Sequence, residues 1–131
     1  MTIALNSLGQ IALTVDDVDA AEAFYATKLG LRKLYRFGDL LFFDCAGVRL
    51  LVEKSNARPF APSSSVLYFR VSDLALSYRE LKARGVPFVD TPHLIVAMSD
   101  HDLWMTFFKD PAGNLLALMT EAPKGYKVPQ D

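Results

Sequence analysis

Few side chains of this sequence have the chemistry of a base, a nucleophile or a metal ligand. The histidines are His93 and His101, and Cys45 is the lone cysteine. His93, in TPHLIVAM, is the candidate general acid or base, because an imidazole titrates near neutral pH; the alternative is a strand histidine hydrogen-bonded to backbone near the bend at Pro92. His101 lies in a polar turn. The sequence shows no base beside Cys45, which favours a buried structural thiol over a nucleophile.

Three further side chains suit the binding of a small molecule. Tyr68 offers a hydroxyl donor, and Arg70 is suited to pair with a carboxylate or phosphate ligand or with a neighbouring acid. Trp104 is suited to stack on a flat ligand or to fill the core. The sequence contains no Gly-x-Ser-x-Gly elbow, no glycine-rich phosphate loop and no Cys-x-x-Cys pair. It therefore presents binding side chains and one candidate base, without a recognisable catalytic motif.

The composition is that of a globular protein. The 131 residues are 51% hydrophobic and 22% charged, which fits one domain that buries about two thirds of its unfolded surface. The formal net charge of −1 gives no reason to expect nucleic acid or an anionic membrane as a partner. No apolar run reaches the roughly 18 residues of a membrane span. The first residues lack the pattern of a secretory signal, so we expect a cytoplasmic protein.

An internal repeat indicates the fold. IALTVDDV at Ile11–Val18 resembles LYFRVSDL at Leu67–Leu74, and each copy alternates like a strand and ends on residues that cap a helix. A helix with an apolar stripe follows each copy and ends at Gly30 or Gly85. Three strand-like runs then follow each helix. They are 31–37, 40–45 and 48–53 in the first half, and in the second half a run near Phe88 that precedes or joins 94–98, then 103–108 and 114–119.

Each half is therefore predicted as a β-α-β-β-β module of an α+β fold. Within one domain, module 1 spans about 7–54, the linker 55–64, module 2 about 65–121 and a loose tail 122–131. Neither half is large enough to bury its apolar face well alone. We expect the modules to form a curved mixed sheet, a cup with the helices on its outer face. The sequence leaves open whether modules pair within one chain or between chains.

Three segments carry a resemblance to a known family: LGQIALTVDDVDAAEAFYATKLGL, FFDCAGVRLLVEK and FFKDPAGNLLALM. They resemble the vicinal oxygen chelate superfamily, which includes glyoxalase I, bleomycin resistance proteins and extradiol dioxygenases. LGQIALTVDDVDAAEAFYATKLGL is similar to the family's opening strand and helix, and FFDCAGVRLLVEK to the closing hairpin of its first module. FFKDPAGNLLALM is similar to the closing hairpin of the second, with an Asp-Pro-x-Gly-Asn turn as the most specific signature. The resemblance runs from about Leu8 to Glu121. It implies the fold and not one activity, because this scaffold hosts unrelated chemistries.

The resemblance also marks four positions at which metal-dependent members carry ligands. They are occupied here by Gln10, Leu50, Val66 and Ala117, and Leu51 beside Leu50 is aliphatic too. Divalent ions in such sites need imidazole and carboxylate donors, and three of these four side chains have no donor atom. We therefore expect no metal and no other cofactor.

Strand alternation predicts which side chains line the cup. If the ligand positions point inward, Ile11 and Leu13 pack beneath the helices. Glu53, three residues from Leu50, is then expected on the opposite face from the cup. A mainly apolar cup with a few polar groups is typical of a small-molecule site. The predicted lining is Gln10, Ala12, Thr14, Leu50, Val52, Val66, Tyr68, Arg70, Leu115, Ala117 and Met119, with His93 and Trp104 as further ligand contacts.

Three functions are compatible with these residues. The first is a metal-free protein, similar to the bleomycin-binding members, that binds a small, largely apolar or aromatic molecule. The second is a metal-independent isomerase or lyase with His93 as its acid or base. The third is a conventional metal-dependent enzyme of the glyoxalase or dioxygenase kind, which the ligand positions disfavour. We expect the first, as a homodimer. The sequence leaves open whether any reaction is catalysed.

Overall fold

A computed structural model of the chain describes residues 3–129. The chain forms two compact units, which divide between Ala61 and Pro62. Each unit contains one four-stranded mixed sheet and one helical connection, in the order β-α-β-β-β that the repeat predicts. The α+β class and the two-module architecture are therefore confirmed. None of the described helices is long and apolar enough to cross a membrane.

The first unit consists of β1 (Gln10–Val15), α1 (Val18–Glu22), a π-helical segment (Ala23–Lys28), β2 (Arg32–Phe37), β3 (Leu40–Cys45) and β4 (Val48–Lys54). Its sheet has the strand order β1-β4-β3-β2. Strand β1 pairs in parallel with β4, while β3 pairs antiparallel with both β4 and β2. The helix α1 continues directly into the π-helical segment, and together they connect β1 to β2.

Two consecutive aromatic residues of the first helical connection reach the core. Asp17 caps α1 by accepting from the Ala20 amide at 3.1 Å. From Ala23 the hydrogen bonds span five residues, and both Phe24 and Tyr25 in this segment are buried, at 3% and 0% exposure. Consecutive residues of a regular α-helix are about 100° apart, so a broad apolar stripe contains both of them in that geometry as well. The predicted apolar stripe is therefore confirmed, by a helix of unexpected pitch.

An ionic cluster fastens α1 to strand β2. The Glu22 carboxylate accepts from Lys33 at 2.6 Å and from Arg36 at 2.7 Å, and Arg36 also donates to Asp19 at 2.8 Å. The Lys33 hydrogen bond, followed by that of Arg36, holds the pKa of Glu22 below its ordinary value. A depressed carboxyl pKa adds stability above the unfolded-state pKa, and that stability is lost as the pH falls through the folded-state pKa.

The Glu22→Gln variant is expected to melt about 2–4 °C below the wild type at pH 7, the shift that roughly 1 kcal/mol produces at this size. The difference should shrink to nothing as the pH falls below the folded-state pKa, because the wild-type carboxylate is then protonated. Thermal melts between pH 7 and pH 3 measure it. Glu80→Gln is the control, since Glu80 lies 3.9 Å from Arg84 on an exposed surface. A Glu22 effect that does not change with pH would contradict the ion-pair explanation.

The second unit contains β5 (Leu67–Arg70), α2 (Leu74–Ala83), β6 (His93–Ala97), β7 (Asp102–Lys109) and β8 (Leu115–Ala122) in chain order. Its sheet has the corresponding strand order β5-β8-β7-β6. Strand β5 pairs in parallel with β8, and β7 pairs antiparallel with both β8 and β6. Phe88 forms only an isolated bridge with Phe108, so the predicted run near it is not a strand.

Helix α2 has the predicted cap, stripe and end. Asp73 accepts from the Leu76 amide at 3.0 Å, and Gly85 ends the helix at a φ of 87°. The apolar stripe is buried against β7 and β8. It consists of Leu74, Tyr78 and Leu81.

The chain after β8 is attached to the second unit, so the prediction of a loose tail over 122–131 is wrong for its described part. The Lys124 ammonium donates to the Asp102 carboxylate at 2.7 Å, and Val128 is 7% exposed. The Lys124 hydrogen bond lowers the pKa of Asp102. Lysine at this position reads as tail composition in the sequence, but it has a partner across the sheet. The last two residues lie outside the described part.

Candidate functional site

Each sheet has one face against its helix and one open face. In the first unit Leu13 and Val15 are buried on the helix face, whereas Gln10 and Ala12 are exposed on the other. In the second unit Tyr68 and Arg70 are exposed on the face away from the helix, and Phe69 between them is half-buried. The open face is the one that carries Gln10 in the first unit and Tyr68 in the second. The predicted orientation of β1 is thereby confirmed.

Strand register places three rows of side chains across the open face of the first unit. Paired residues of neighbouring strands point to the same side of a sheet. A charged row lies at one end, an aromatic and aliphatic row in the middle and a mixed row at the other end. The rows are Gln10, Arg49, Asp44 and Arg32; Ala12, Leu51, Phe42 and Tyr35; and Thr14, Glu53, Leu40 and Phe37.

The predicted orientation of β4 is wrong. Leu50 pairs with Ile11 and is 2% exposed on the helix face, and Val52 pairs with Leu13 and is fully buried. Glu53 does lie opposite Leu50, but this puts Glu53 on the open face rather than away from it. Leu51 is the residue that occupies the position expected of Leu50. Both are aliphatic, so the position still has no donor atom.

An exposed aromatic cluster on the open face of the first unit was not predicted. The Tyr35 ring lies 5.2 Å from that of Phe37 and 4.7 Å from that of Phe42. Phe37 is 67% exposed and Tyr35 40%. The Arg49 guanidinium lies 5.9 Å from the Phe42 ring centroid, a cation–π contact. Alternation in LYRF and LLFF is the sequence signal for this cluster, but it does not say which alternate residues are exposed.

The open face of the second unit has a comparable set of rows. Tyr68, Ala117 and Phe107 form one row, and Ala117 is fully buried between its neighbours. The adjacent row joins residues at the two edges of the sheet through a pair of half-buried thioethers. It consists of Arg70, Met119, Met105 and His93. The structure therefore brings together four predicted site residues: Tyr68, Arg70, His93 and Ala117.

Three rings form an aromatic strip on this face. Phe107 lies between the other two, with its centroid 6.0 Å from that of Tyr68 and 6.4 Å from that of His93. The His93 and Phe107 planes are nearly parallel, at 29°. Tyr68 is 46% exposed, and the His93 side chain is 44% exposed. These three residues, Tyr68, Phe107 and His93, form the aromatic strip.

Backbone geometry fixes the tautomer of His93. Its Nδ1 lies 2.8 Å from the Thr91 carbonyl oxygen, which only accepts hydrogen bonds. Nδ1 therefore carries the proton, and in the neutral ring the lone pair is on Nε2. Asp90 lies 4.0 Å from Nδ1, and its carboxylate is held by the Thr106 hydroxyl and the Phe107 amide, both at 2.8 Å. The backbone hydrogen bond near Pro92 is confirmed, and a nearby carboxylate that the sequence did not indicate is added.

Other predicted site residues lie elsewhere. Trp104 is 9% exposed on the helix face of β7, where its ring meets Tyr126 at 5.6 Å, so it does not share a face with Tyr68. Val66 precedes β5 and is half-buried, and Gln10 and Thr14 belong to the first unit. His101 lies beyond the end of β6, with Nδ1 2.8 Å from Asp100.

The described donors do not suit a metal ion. On the open face of the first unit, Gln10 and Glu53 are separated by four positions of register, which is about 13 Å along a strand. Leu51 and Ala117 offer no donor atom. Within residues 3–129, no group of three or more His, Cys, Asp or Glu side chains lies close enough to hold a metal ion.

Cys45 has the environment of a structural thiol. It is half-buried at the end of β3. Burial, and then the neighbouring Asp44 carboxylate, raise the pKa of the thiol above its ordinary value. Since the thiolate is the nucleophile, this environment disfavours reactivity at neutral pH.

Comparisons with known proteins agree with this architecture. The sequence model of the Glyoxalase/Bleomycin resistance protein/Dioxygenase superfamily matches residues 7–118. A glyoxalase/bleomycin resistance protein/dioxygenase from Alicyclobacillus acidocaldarius is 26% identical, with a TM-score of 0.71 over 88% of this chain and 92% of that one. Lactoylglutathione lyase from Agrobacterium tumefaciens is 24% identical, with a TM-score of 0.70 over 92% and 97%. An integron cassette protein from the mobile metagenome of V. cholerae is 19% identical, with a TM-score of 0.75 over 92% and 98%.

No curated protein matches the chain. The family match covers most of the sequence, so the chain belongs to the Glyoxalase/Bleomycin resistance protein/Dioxygenase superfamily. The resemblance read from the three sequence segments is thereby confirmed. Structural likeness at less than 25% identity shows the fold alone, because this fold hosts many activities.

Proposed function

We propose that this protein binds a small, largely apolar or aromatic molecule on the open faces of its sheets, without a metal ion. The observation that carries the proposal is that these faces lack the family's metal-binding side chains and expose aromatic rings. The family's ligand positions hold Gln10, Leu51, Val66 and Ala117, while aromatic rings are exposed nearby.

Exposed aromatic rings on a sheet face support binding rather than folding. A side chain that only stabilises the fold gains most when it is buried, as Phe43 and Phe108 are. Tyr35, Phe37 and Tyr68 leave 40%, 67% and 46% of their surface exposed. Contiguous exposed apolar surface marks an interaction site. A few polar groups beside it, such as Arg70 or Glu53, would fix the orientation of a ligand.

The proposal includes a homodimer, which light scattering of the purified protein measures.

Metal analysis of purified protein is the first test. We expect less than about 0.1 metal ion per chain, and a melting temperature that changes by less than about 1 °C with Ni²⁺, Mn²⁺, Zn²⁺, Fe²⁺ or chelator, because a ligand that does not bind the folded state does not stabilise it. One tightly held ion per chain, with melting lowered by chelator, would overturn the metal-free proposal and favour a metal-dependent enzyme of the glyoxalase or dioxygenase kind.

A second candidate function is a metal-independent isomerase or lyase that uses His93. The observation that favours it is the fixed tautomer, which leaves the Nε2 lone pair free to take a proton from a bound carbonyl compound. Deuterium uptake at the carbon next to the carbonyl, followed by NMR in D₂O, tests it. The reaction is expected to stop in His93→Gln while binding persists. Uptake that is unchanged in this variant would exclude His93 as the base.

A further inference from the structure

Positive side chains lie on both sides of the row that contains Tyr68 and Phe107. Arg70 is two residues beyond Tyr68 on β5, and Lys109 is two residues beyond Phe107 on β7, so both belong to the open face of the second unit. The register places them on opposite sides of the row that contains the two rings. Both are exposed, and none of the ion pairs found among residues 3–129 involves Lys109.

The Arg70 guanidinium is available to a ligand. Its ion pair with Glu121 is 3.9 Å long, and the two side chains are 74% and 49% exposed. An exposed pair of this length contributes at most about 1 kcal/mol, so a ligand carboxylate competes with it easily. A planar guanidinium binds a carboxylate through two parallel hydrogen bonds.

The surface beside Arg70 suits a flat ring system. Met119 and Met105 lie between Arg70 and His93 in one row, and three strand spacings make this row about 14 Å long. Thioethers are polarisable and make favourable contacts with aromatic rings. Two rings of the aromatic strip, Tyr68 and Phe107, lie in the adjacent row, and its third ring, His93, ends the row of Arg70.

We propose that the open face of the second unit binds a planar aromatic carboxylate, with its rings on the thioethers and the aromatic strip and its carboxylate on Arg70. This rests on the proposed binding function and specifies the class of ligand. A monoanion is favoured over a phosphate dianion. The Glu121 carboxylate lies beside Arg70, and it repels a ligand with two negative charges more strongly than a ligand with one. Arg70 thereby selects the charge of the ligand, while the rings select its shape.

Three probes with the same ring system test the proposal: 2-naphthoate, neutral 2-naphthamide and cationic 2-naphthylmethylammonium. Calorimetry or ligand-detected NMR measures their affinities. We expect 2-naphthoate to bind about 10-fold more tightly than the amide, the effect of a hydrogen bond to a charged group, and Arg70→Met to abolish this preference. Arg79→Met is the matched control, since Arg79 is an exposed arginine on α2.

Tyr68→Leu separates the ring contacts from the charge. It should weaken the binding of all three probes by a similar factor, because the aromatic strip contacts the ring system that they share. Equal affinity for naphthoate and naphthamide, unaffected by Arg70→Met, would overturn the carboxylate inference and leave the proposed binding function in place. Failure of all three probes to bind would count against both.

Discussion

Replacing Phe108 by alanine is expected to lower the free energy of unfolding by about 3–5 kcal/mol. Phe108 is fully buried, and its ring lies 5.3 Å from that of Phe88, which in turn lies 4.7 Å from that of Tyr78 on α2. These three rings connect β7 to the helix. Removing the Phe108 ring from this packed core leaves a cavity that the surrounding sheet and helix fill only partly.

Urea denaturation followed by circular dichroism measures this loss. Phe37→Ala is the matched control, because the same ring is removed from a side chain that is 67% exposed. The control should change stability by less than about 1 kcal/mol. Equal losses in the two variants would contradict the assignment of Phe108 to the core. The Phe108 variant should also weaken the binding of any ligand that contacts Phe107. Phe108 lies in the core and Phe107, the adjacent residue of β7, lies on the open face.

Replacing Asp110 by alanine is expected to cost about 2–4 kcal/mol, because it leaves buried donors without their acceptor. The Asp110 carboxylate is 3% exposed and accepts from the Ala112 amide at 3.0 Å, the Asn114 amide at 2.8 Å and the Asn114 side chain at 3.0 Å. Asn114 also accepts from the Ser63 amide at 2.8 Å. The loss should therefore loosen both the turn and the chain that leads into β5.

Two further variants test whether the loss in Asp110→Ala comes from the buried hydrogen bonds of this carboxylate. Asp110→Asn keeps one acceptor oxygen but meets the Asn114 side chain with a second donor, so it should recover only part of the loss. Asp100→Ala, at a side chain that is 83% exposed, should change stability by less than about 0.5 kcal/mol. Full stability in Asp110→Ala would mean that the turn does not depend on this carboxylate.

The Asp-Pro-x-Gly-Asn signature is thus explained by its contacts. Gly113 has a φ of 92°, and a Cβ atom there would lie 3.2 Å from Pro62. Glycine is suited to this position on both counts. The sequence alone marked this segment as a turn, but the neighbour that the missing Cβ makes room for is distant in the chain.

Local chemistry allowed several elements to be predicted from the sequence. Asp17 and Asp73 cap helices because a short carboxylate reaches the first free amides, and Gly30 and Gly85 end them with positive φ. The repeat of these signals fixed the order of elements in both modules. Each signal depends on a few consecutive residues, so no knowledge of distant partners was needed.

Orientation of the strands depended on partners that are far away in the sequence. Alternation establishes that Leu50 and Glu53 lie on opposite faces, but parallel pairing of β4 with β1 decides which face is open. The same holds for Trp104, which the sequence allowed on either face and which the β7–β8 register places in the core. A shift of one residue exchanges the two faces of a strand.

The sequence by itself therefore determined the family, the two modules and the absence of a donor atom at three of the four metal positions, because these depend on residue type and local pattern. Only the tertiary structure decided that Arg70, Met119, Met105 and His93 form one row, and that the carboxylate of Asp90 lies beside His93. Such groupings arise when non-local strand pairing and loop packing bring distant segments together, and no local pattern specifies them.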